Sequence, residues 1–552
     1  MTHAKGQAIV LAYLTVLVIS VLGSSLLNRS FSVNRAAQIQ QAQANAFYMA
    51  EGALEDAASK FSIAIANFRI SATAACYPDT NTDGNCAPNP ANGVDVLTTT
   101  YANGTNASSW LTEAEAGQRT VVDPDGVSVF VKNYQVTTTV QDPFSSITVT
   151  LHQIIGRRII YTFQHAIFYD KDLEWLPGPD MTLTGRVHSN SDIYLGSHST
   201  LTVDSEYLRA AGSVYDKRKD SADEMEGDVN IKKAGSSPAQ YPAMDGLDST
   251  SASWLTASQT RWNGTVQTGV HGVTKKAVPV VGSTASGGFY DMNADIKIVN
   301  GTVKKNGVTL VEGVDIPTGT VTSTTAFYNN REGKYVKMTN LDLKKLSGYA
   351  TGDTAGHPSF PNRLPANGLL YATRTDATSS QQPGVRLVNG SEVARAGGLT
   401  MVSNDPVYVQ GDFNTVTKKP VAVIADALNL LSSGWNDANS TGSLSSRVAA
   451  NTTVNSAFIA GINTTTPGHY NGGLENYPRF HEKWDSKTMT ITGSFVSLWN
   501  SQIGTGAWAY GGSQYTAPQR LWSYDTSFSS GSNMPPFTPW AVQIVEGAWW
   551  KD

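Results

Sequence analysis

From Ala8 to Leu27 the chain reads AIVLAYLTVLVISVLGSSLL, twenty residues without one charged side chain. Wound into a helix, such a run rises about 30 Å, the thickness of a bilayer's hydrocarbon core. Lys5 stands before it, and Arg29 and Arg35 follow it. On physical grounds this is a membrane segment, and everything after it must be compatible with a chain tethered at its start. A secretory signal would carry a shorter apolar region followed by a small-x-small cleavage site; here the run leads through Ser-Leu-Leu-Asn-Arg into further helix-compatible sequence. A plain signal anchor is a second reading. The flanking charges do not fix its orientation, because one lysine precedes the run and two arginines follow it.

A third reading accounts for the next forty residues. From Arg29 to about Phe68 there is no proline, and Ala, Gln and Leu dominate. Gly52 is the one weak helix former, at roughly 1 kcal/mol. Ile39, Ala42, Ala46, Met49–Ala50, Ala53–Leu54, Ala57, Phe61 and Ala64 recur at helical steps and form an apolar stripe. The spacing predicts one long helix over 7–70, with 8–27 in the membrane and the remainder amphipathic outside it.

These residues resemble the type IV pilin-like family, and within it the PilX-type N-terminal segment. The resemblance is carried by Lys5-Gly6 ahead of the uncharged run and by the later stretch from Asn45-Ala46-Phe47-Tyr48-Met49-Ala50 to Glu51-Gly52-Ala53-Leu54. It implies a leader over 1–6, cut by prepilin peptidase after Gly6, with Gln7 as the mature and N-methylated terminus. One position departs from the pattern. Most pilins place a glutamate at mature position five, where this chain has Leu11. A carboxylate buried in an apolar bundle is tolerable only when paired, and Leu11 brings none. In this the chain resembles the large minor pseudopilin that caps type II secretion pseudopili, so the resemblance implies a minor, tip-located subunit. A body of nearly 500 residues agrees, being too bulky for every position of a close-packed fibre.

After the helix, the region 71–118 contains the chain's two cysteines, Cys76 and Cys86, in the turn-rich ATAACYPDTNTDGNCAPNP. In an exported protein two cysteines this close read as a disulfide. Between them, Asp79, Asn81 and Asp83 followed by Gly84 match the opening of a calcium loop, although Pro90 stands where a bidentate glutamate belongs. The plainer reading is a polar turn with Asx-type hydrogen bonds. Tip pseudopilins can bind calcium, so the resemblance leaves Ca2+ as a candidate ligand.

From about Val121 the pattern turns to β. Val127–Val131, Tyr134–Val140, Ser146–Leu151 and Arg158–Phe163 alternate within the region 119–175, with Asp123-Pro124-Asp125-Gly126 as a turn. Over 176–540, short Val-, Ile- and Leu-rich runs alternate with Gly-, Ser- and Asn-bearing corners, as in MTLTGRVHSNSDIYLG and GLTMVSNDPVYVQGDFN. Each unit can bury its apolar side only against its neighbours. The expected fold class is α+β, mainly β: a long N-terminal helix, then a large body built as a right-handed β-helix or solenoid, with a β-sandwich as the alternative and 541–552 as a C-terminal tail. This half resembles a large-protein subgroup of the same PilX-like family, through Phe327–Lys334, Pro406–Asn414, Tyr470–Asn476 with Pro478–Phe480, Pro518–Trp522 and Met534–Pro536.

No chemistry announces itself. Histidines are scattered, and no Cys-x2-Cys, His-Glu-x2-His, Gly-x-Ser-x-Gly or Gly-x4-Gly-Lys spacing occurs. Lysine and arginine are not clustered and the net charge is −5, which argues against a nucleic-acid partner. Glu475, Arg479, His481 and Glu482 are the densest polar cluster, read as a solvated face or an Arg–carboxylate clip. Aromatic residues gather late in the chain, and Trp499, Trp508, Tyr510 and Trp522 are candidates for ligand contact, against the plainer reading that they fill the core. The sequence is therefore expected to be a non-enzymatic minor pilin-like subunit. It would sit in the bacterial inner membrane before assembly and on the surface afterwards. Its partners would be other pilins and prepilin peptidase, with a surface glycan or protein as a further ligand. The alternative is a membrane-anchored polysaccharide-active enzyme or carbohydrate-binding module.

Overall fold

A computed structural model describes residues 3–66, 88, 89, 91–123, 126–143, 145–278, 281–508 and 514–552. The chain divides into two compact units. The first comprises 1–119, 130–158 and 543–552, and the second comprises 120–129 and 159–542.

The first unit is led by a single helix, His3–Ala66. Its apolar start is long enough to cross a membrane, and no residue of its most apolar window is buried. Further along, Ala46, Ala50, Ala53, Leu54, Ala57 and Phe61 are all buried, at steps of one, three and four residues that place them along one face. That face packs on the strand Asn106–Glu113. The stripe consists mainly of alanines because the helix and sheet approach closely. Tyr101 reaches over Gly52 to donate its hydroxyl to the carbonyl of Met49. Phe61 fills the wider end, edge-on to Tyr134 at 5.2 Å between ring centroids. Leu97–Thr100, Asn106–Glu113 and Ser128–Gln141 are neighbours in a six-stranded sheet and pair antiparallel in that order. The runs expected at Val127–Val131 and Tyr134–Val140 are one strand, Ser128–Gln141. Lys132 does not interrupt it because its ammonium pairs with Glu113 on the neighbouring strand.

The second unit is built mainly from parallel strands, most of them pairing with a strand two or three further along the chain. Ile167–Tyr169 pairs with Val187–Ser189, that strand with Leu208–Ala210, and the last with Val266–Gln267. Leu173–Trp175, Ile193–Leu195 and Val214–Asp216 form a second row, and Met181–Thr184, Thr200–Asp204 and Asp228–Ile231 a third. Together these rows make an outgoing stack. The chain then returns from Ile296–Val299 through Leu369–Thr373, Leu399–Val402, Val421–Ala425 and Thr452–Ala460 to Thr488–Ser497. A companion row joins Lys334–Asp342, Gln381–Val388, Val407–Gln410, Leu428–Leu431 and Pro478–Arg479.

The two stacks meet where Thr488–Ser497 pairs with Ile167–Tyr169, so one sheet of thirteen strands runs through the unit. Across the seam the side chains Phe458, Phe495, Ile167, Val187, Leu208 and Val266 align in register. All six are at most 1% exposed. A ladder of apolar side chains from successive strands is how short strands, each too small to bury its own face, acquire a common core. Polar corners such as Ser189-Asn190-Ser191-Asp192 turn the chain between strands that are themselves only three residues long.

Candidate functional site

At the seam, the outgoing row ending in Leu173–Trp175 has no strand partner from the returning stack. The segment Tyr470–Asn476 fills that place. Glu475 Oε1 accepts the backbone N–H of Leu176 at 2.9 Å, a carboxylate doing what a ladder carbonyl does elsewhere. Gly472 and Gly473 make the turn possible. Both have positive φ, and a Cβ would lie 2.3 Å from the Trp508 ring at Gly472 and 2.4 Å from the Tyr470 hydroxyl at Gly473.

The result is a groove formed by two depressions of about 770 and 610 Å3 that share Arg218, Tyr470 and Trp508. Tyr470 and Trp508 meet edge to face at 5.3 Å, and the Arg218 guanidinium lies 4.7 Å over the Tyr470 ring. Trp508 donates its indole N–H to the Tyr515 hydroxyl at 3.0 Å.

A buried polar network holds the Trp508 loop. Asp426 accepts backbone N–H groups of Gln502, Ile503 and Gly504. Glu332 pairs with Arg479 at 2.7 Å and accepts the Gly506 N–H at 2.8 Å, while Arg479 donates to the Gly504 carbonyl. Arg331 donates to Asn476 Oδ1 at 2.8 Å, tying the same network to the double-glycine turn. Burial pulls the Arg331 guanidinium down to about 9, with the neighbouring positive charge of Arg479 acting in the same direction. Burial also pushes the Glu475 carboxyl up to about 7, against the pull of Arg520, and the Glu174 carboxyl up to about 7, against its hydrogen bond with Thr465. A raised carboxyl holds its proton near neutrality and can donate as well as accept.

The residues singled out from sequence fall in different places. Gly6, Gln7 and Leu11 lie in the first turns of the helix, and Leu11 is 69% exposed. Cys76, Cys86, Asp79, Asn81, Asp83 and Tyr510 lie outside the described residues. Among the described residues no group of three or more His, Cys, Asp or Glu is arranged to hold a metal ion. Trp499 and Trp522 are buried in the core, Trp522 stacked on Phe495 at 5.1 Å; Trp508 lines the groove.

The Glu475–Glu482 cluster is not a solvated face. Its four polar side chains are buried, Arg479 forming the clip with Glu332 and His481 bonding to Asn429 at 2.9 Å. Sequence reasoning missed Arg218, Glu174 and Asp426. The available signal was the Tyr470-Asn471-Gly472-Gly473 run, because two successive glycines inside a β body mark a close backbone approach.

No family model matches this chain, and no curated protein matches it. Among solved structures it aligns with the competence-associated pilin ComZ from Thermus thermophilus, over 93% of this chain and 98% of that one, at 10% identity and a TM-score of 0.20.

Proposed function

We propose that the chain is a minor, PilX-type pilin-like subunit that carries its β body at or near the tip of a type IV pilus or pseudopilus, where it contributes to assembly, adhesion or secretion. In this reading prepilin peptidase cuts after Gly6 and Gln7 becomes the first residue. The helix waits in the inner membrane and then exchanges lipid for the apolar helices of other pilins. The observation that carries this is the division of one continuous helix. Ile9 to Leu27 is bare, with Leu11, Leu14, Leu17 and Ile19 each more than half exposed, whereas Ala46 to Phe61 is committed to the chain's own sheet. An apolar half left uncovered needs lipid or sister helices. Leu11 in place of a carboxylate favours a position where no neighbour's terminal ammonium has to be matched.

The second unit is proposed to be a right-handed β-helix, supported by parallel pairing between strands two or three apart and by the strong right-handed preference of parallel crossovers. Gly6→Leu tests the functional reading. The expected result is full-length precursor in the membrane fraction and none in sheared fibres, while the parent chain begins at Gln7 on N-terminal sequencing. A parent chain that begins at Met1 in the fibres would end it.

A further inference from the structure

The groove at the seam joins features that no assembly role requires. We propose that it is a binding site for a neutral oligosaccharide, seated across Arg218, Tyr470 and Trp508.

Four observations lead there. First, the two depressions share those three residues, and each lies within the roughly 300–1,000 Å3 of small-ligand sites. Two such spaces joined across one aromatic saddle suit a ligand made of repeated units better than a single compact one. Second, the saddle is Trp508 set against Tyr470, and aromatic surfaces of this kind take the C–H faces of sugar rings. Third, Arg218, which both depressions share, is already paired within the protein. Asp220 holds Arg218 in a two-pronged pair at 2.9 and 3.0 Å, and Asp180 accepts from Ser199 and Thr200. An anionic ligand seated on Arg218 would have to compete with Asp220. Around them stand neutral amides, Asn463, Asn471, Asn500 and Gln502.

Fourth, three buried polar atoms of the groove's lining residues have no partner among the described residues: Tyr470 Oη, Glu475 Oε2 and Arg520 Nε. Glu475 is only 7% exposed, so its unpartnered oxygen carries the cost of desolvation without a matching bond. These atoms are a hydroxyl, an acceptor and a donor. Each atom is itself closed to solvent, so a ligand reaches it only through a bridging water or a small shift of the lining, and a group that both gives and takes hydrogen bonds, as each sugar hydroxyl does, suits that. The two glycines and the buried Glu332–Arg479 pair then act as positioning elements that hold Tyr470 and Trp508 at their separation.

This site stands whether or not the chain is processed at Gly6, so the two ideas fail separately. The test uses the full chain in lipid nanodiscs, which carry no sugar head groups, titrated by calorimetry with maltohexaose, cellohexaose, N-acetylchitohexaose and hexagalacturonate. The expected result is saturable binding of at least one neutral hexamer and weaker binding of the acidic one. Trp508→Ala should weaken that binding about tenfold or more. Tyr470→Phe, which removes one unpartnered hydroxyl and leaves the ring in place, should weaken it by about threefold to tenfold. Absence of binding by every neutral hexamer, preference for the acidic one, or equal binding by both variants and the parent chain would each overturn the proposal.

Discussion

The two halves of the N-terminal helix share a backbone and an abundance of apolar side chains but meet opposite fates. Between Ile9 and Leu27 the large apolar residues point in every direction and all are exposed. Between Ala46 and Phe61 the buried residues Ala46, Ala50, Ala53, Leu54, Ala57 and Phe61 keep to one face covered by the sheet, while Tyr48 points away from it at 68% exposure. A helix apolar all round asks for an apolar solvent, whereas a helix apolar on one side asks for one packing partner. The second half is accordingly built of alanines, which admit a close neighbour, and the first of Leu, Ile and Val, which suit lipid or a loose bundle of like helices.

The largest expected effect is the one that would break this contrast most directly. Phe61→Ala removes a side chain 2% exposed and edge-on to Tyr134, and should lower the unfolding free energy by about 3–5 kcal/mol. Leu14→Ala, at 56% exposure, should leave the same denaturant midpoint in place while weakening retention in membranes. Equal losses of stability in the two variants would mean that both halves pack against the protein.

A pH titration sharpens the comparison by setting the second unit against the helix. In the second unit Glu174, Asp405, Glu475 and Glu482 are each raised to about 7 by burial. A carboxyl raised on folding contributes stability that is fully present below its ordinary value, near 4, and lost as pH rises through about 7. The melting temperature of this unit should therefore fall between pH 5 and pH 8. Glu475→Gln, which keeps an acceptor for the Leu176 N–H, should reduce that fall. On the helix, Asp56 is shifted the opposite way, chiefly by its hydrogen bond to Lys60, so its contribution is lost only as pH falls through the acid range. An increase in stability of the second unit with rising pH would contradict the burial of these carboxyls.

The smallest effect belongs to that same exposed pair. Lys60 and Asp56 lie 2.6 Å apart at one helical turn's spacing, with both side chains more than a third exposed. Asp56→Ala should cost about 0.3–0.5 kcal/mol in low salt and less in high salt. A loss several times larger would indicate that the hydrogen bond from Thr99 to Asp56, at 3.1 Å, anchors the helix on the sheet.

Much of the helix was legible in the sequence. The stripe read from spacing contains all six of the buried residues from Ala46 to Phe61. Its upstream members behave differently: Ile39 is 44% exposed, because periodicity identifies a face but not how far its partner extends. The β character of the body was legible for a similar reason, since branched residues between Gly and Asn corners leave few other conformations open. The groove was not. Trp499, Trp508 and Trp522 are the same residue type within one stretch of chain; two are core residues and one lines the groove, and nothing local separates them. Arg218 and Tyr470 are more than 250 residues apart in the chain, yet the guanidinium lies against the ring.

What the sequence determined by itself was a property of neighbours along the chain: a charge-free run that demands an apolar medium, a helical stripe, and short strands that need company. The tertiary structure decided which strands met. It brought Ile167–Tyr169 beside Thr488–Ser497, left the adjoining row without a strand partner, and set Glu475 and the Tyr470 turn into that place. Local spacing encodes the free energy of burying a face, but the identity of the surface that buries it depends on contacts between residues hundreds of positions apart, and no pattern within a few turns or strands records them.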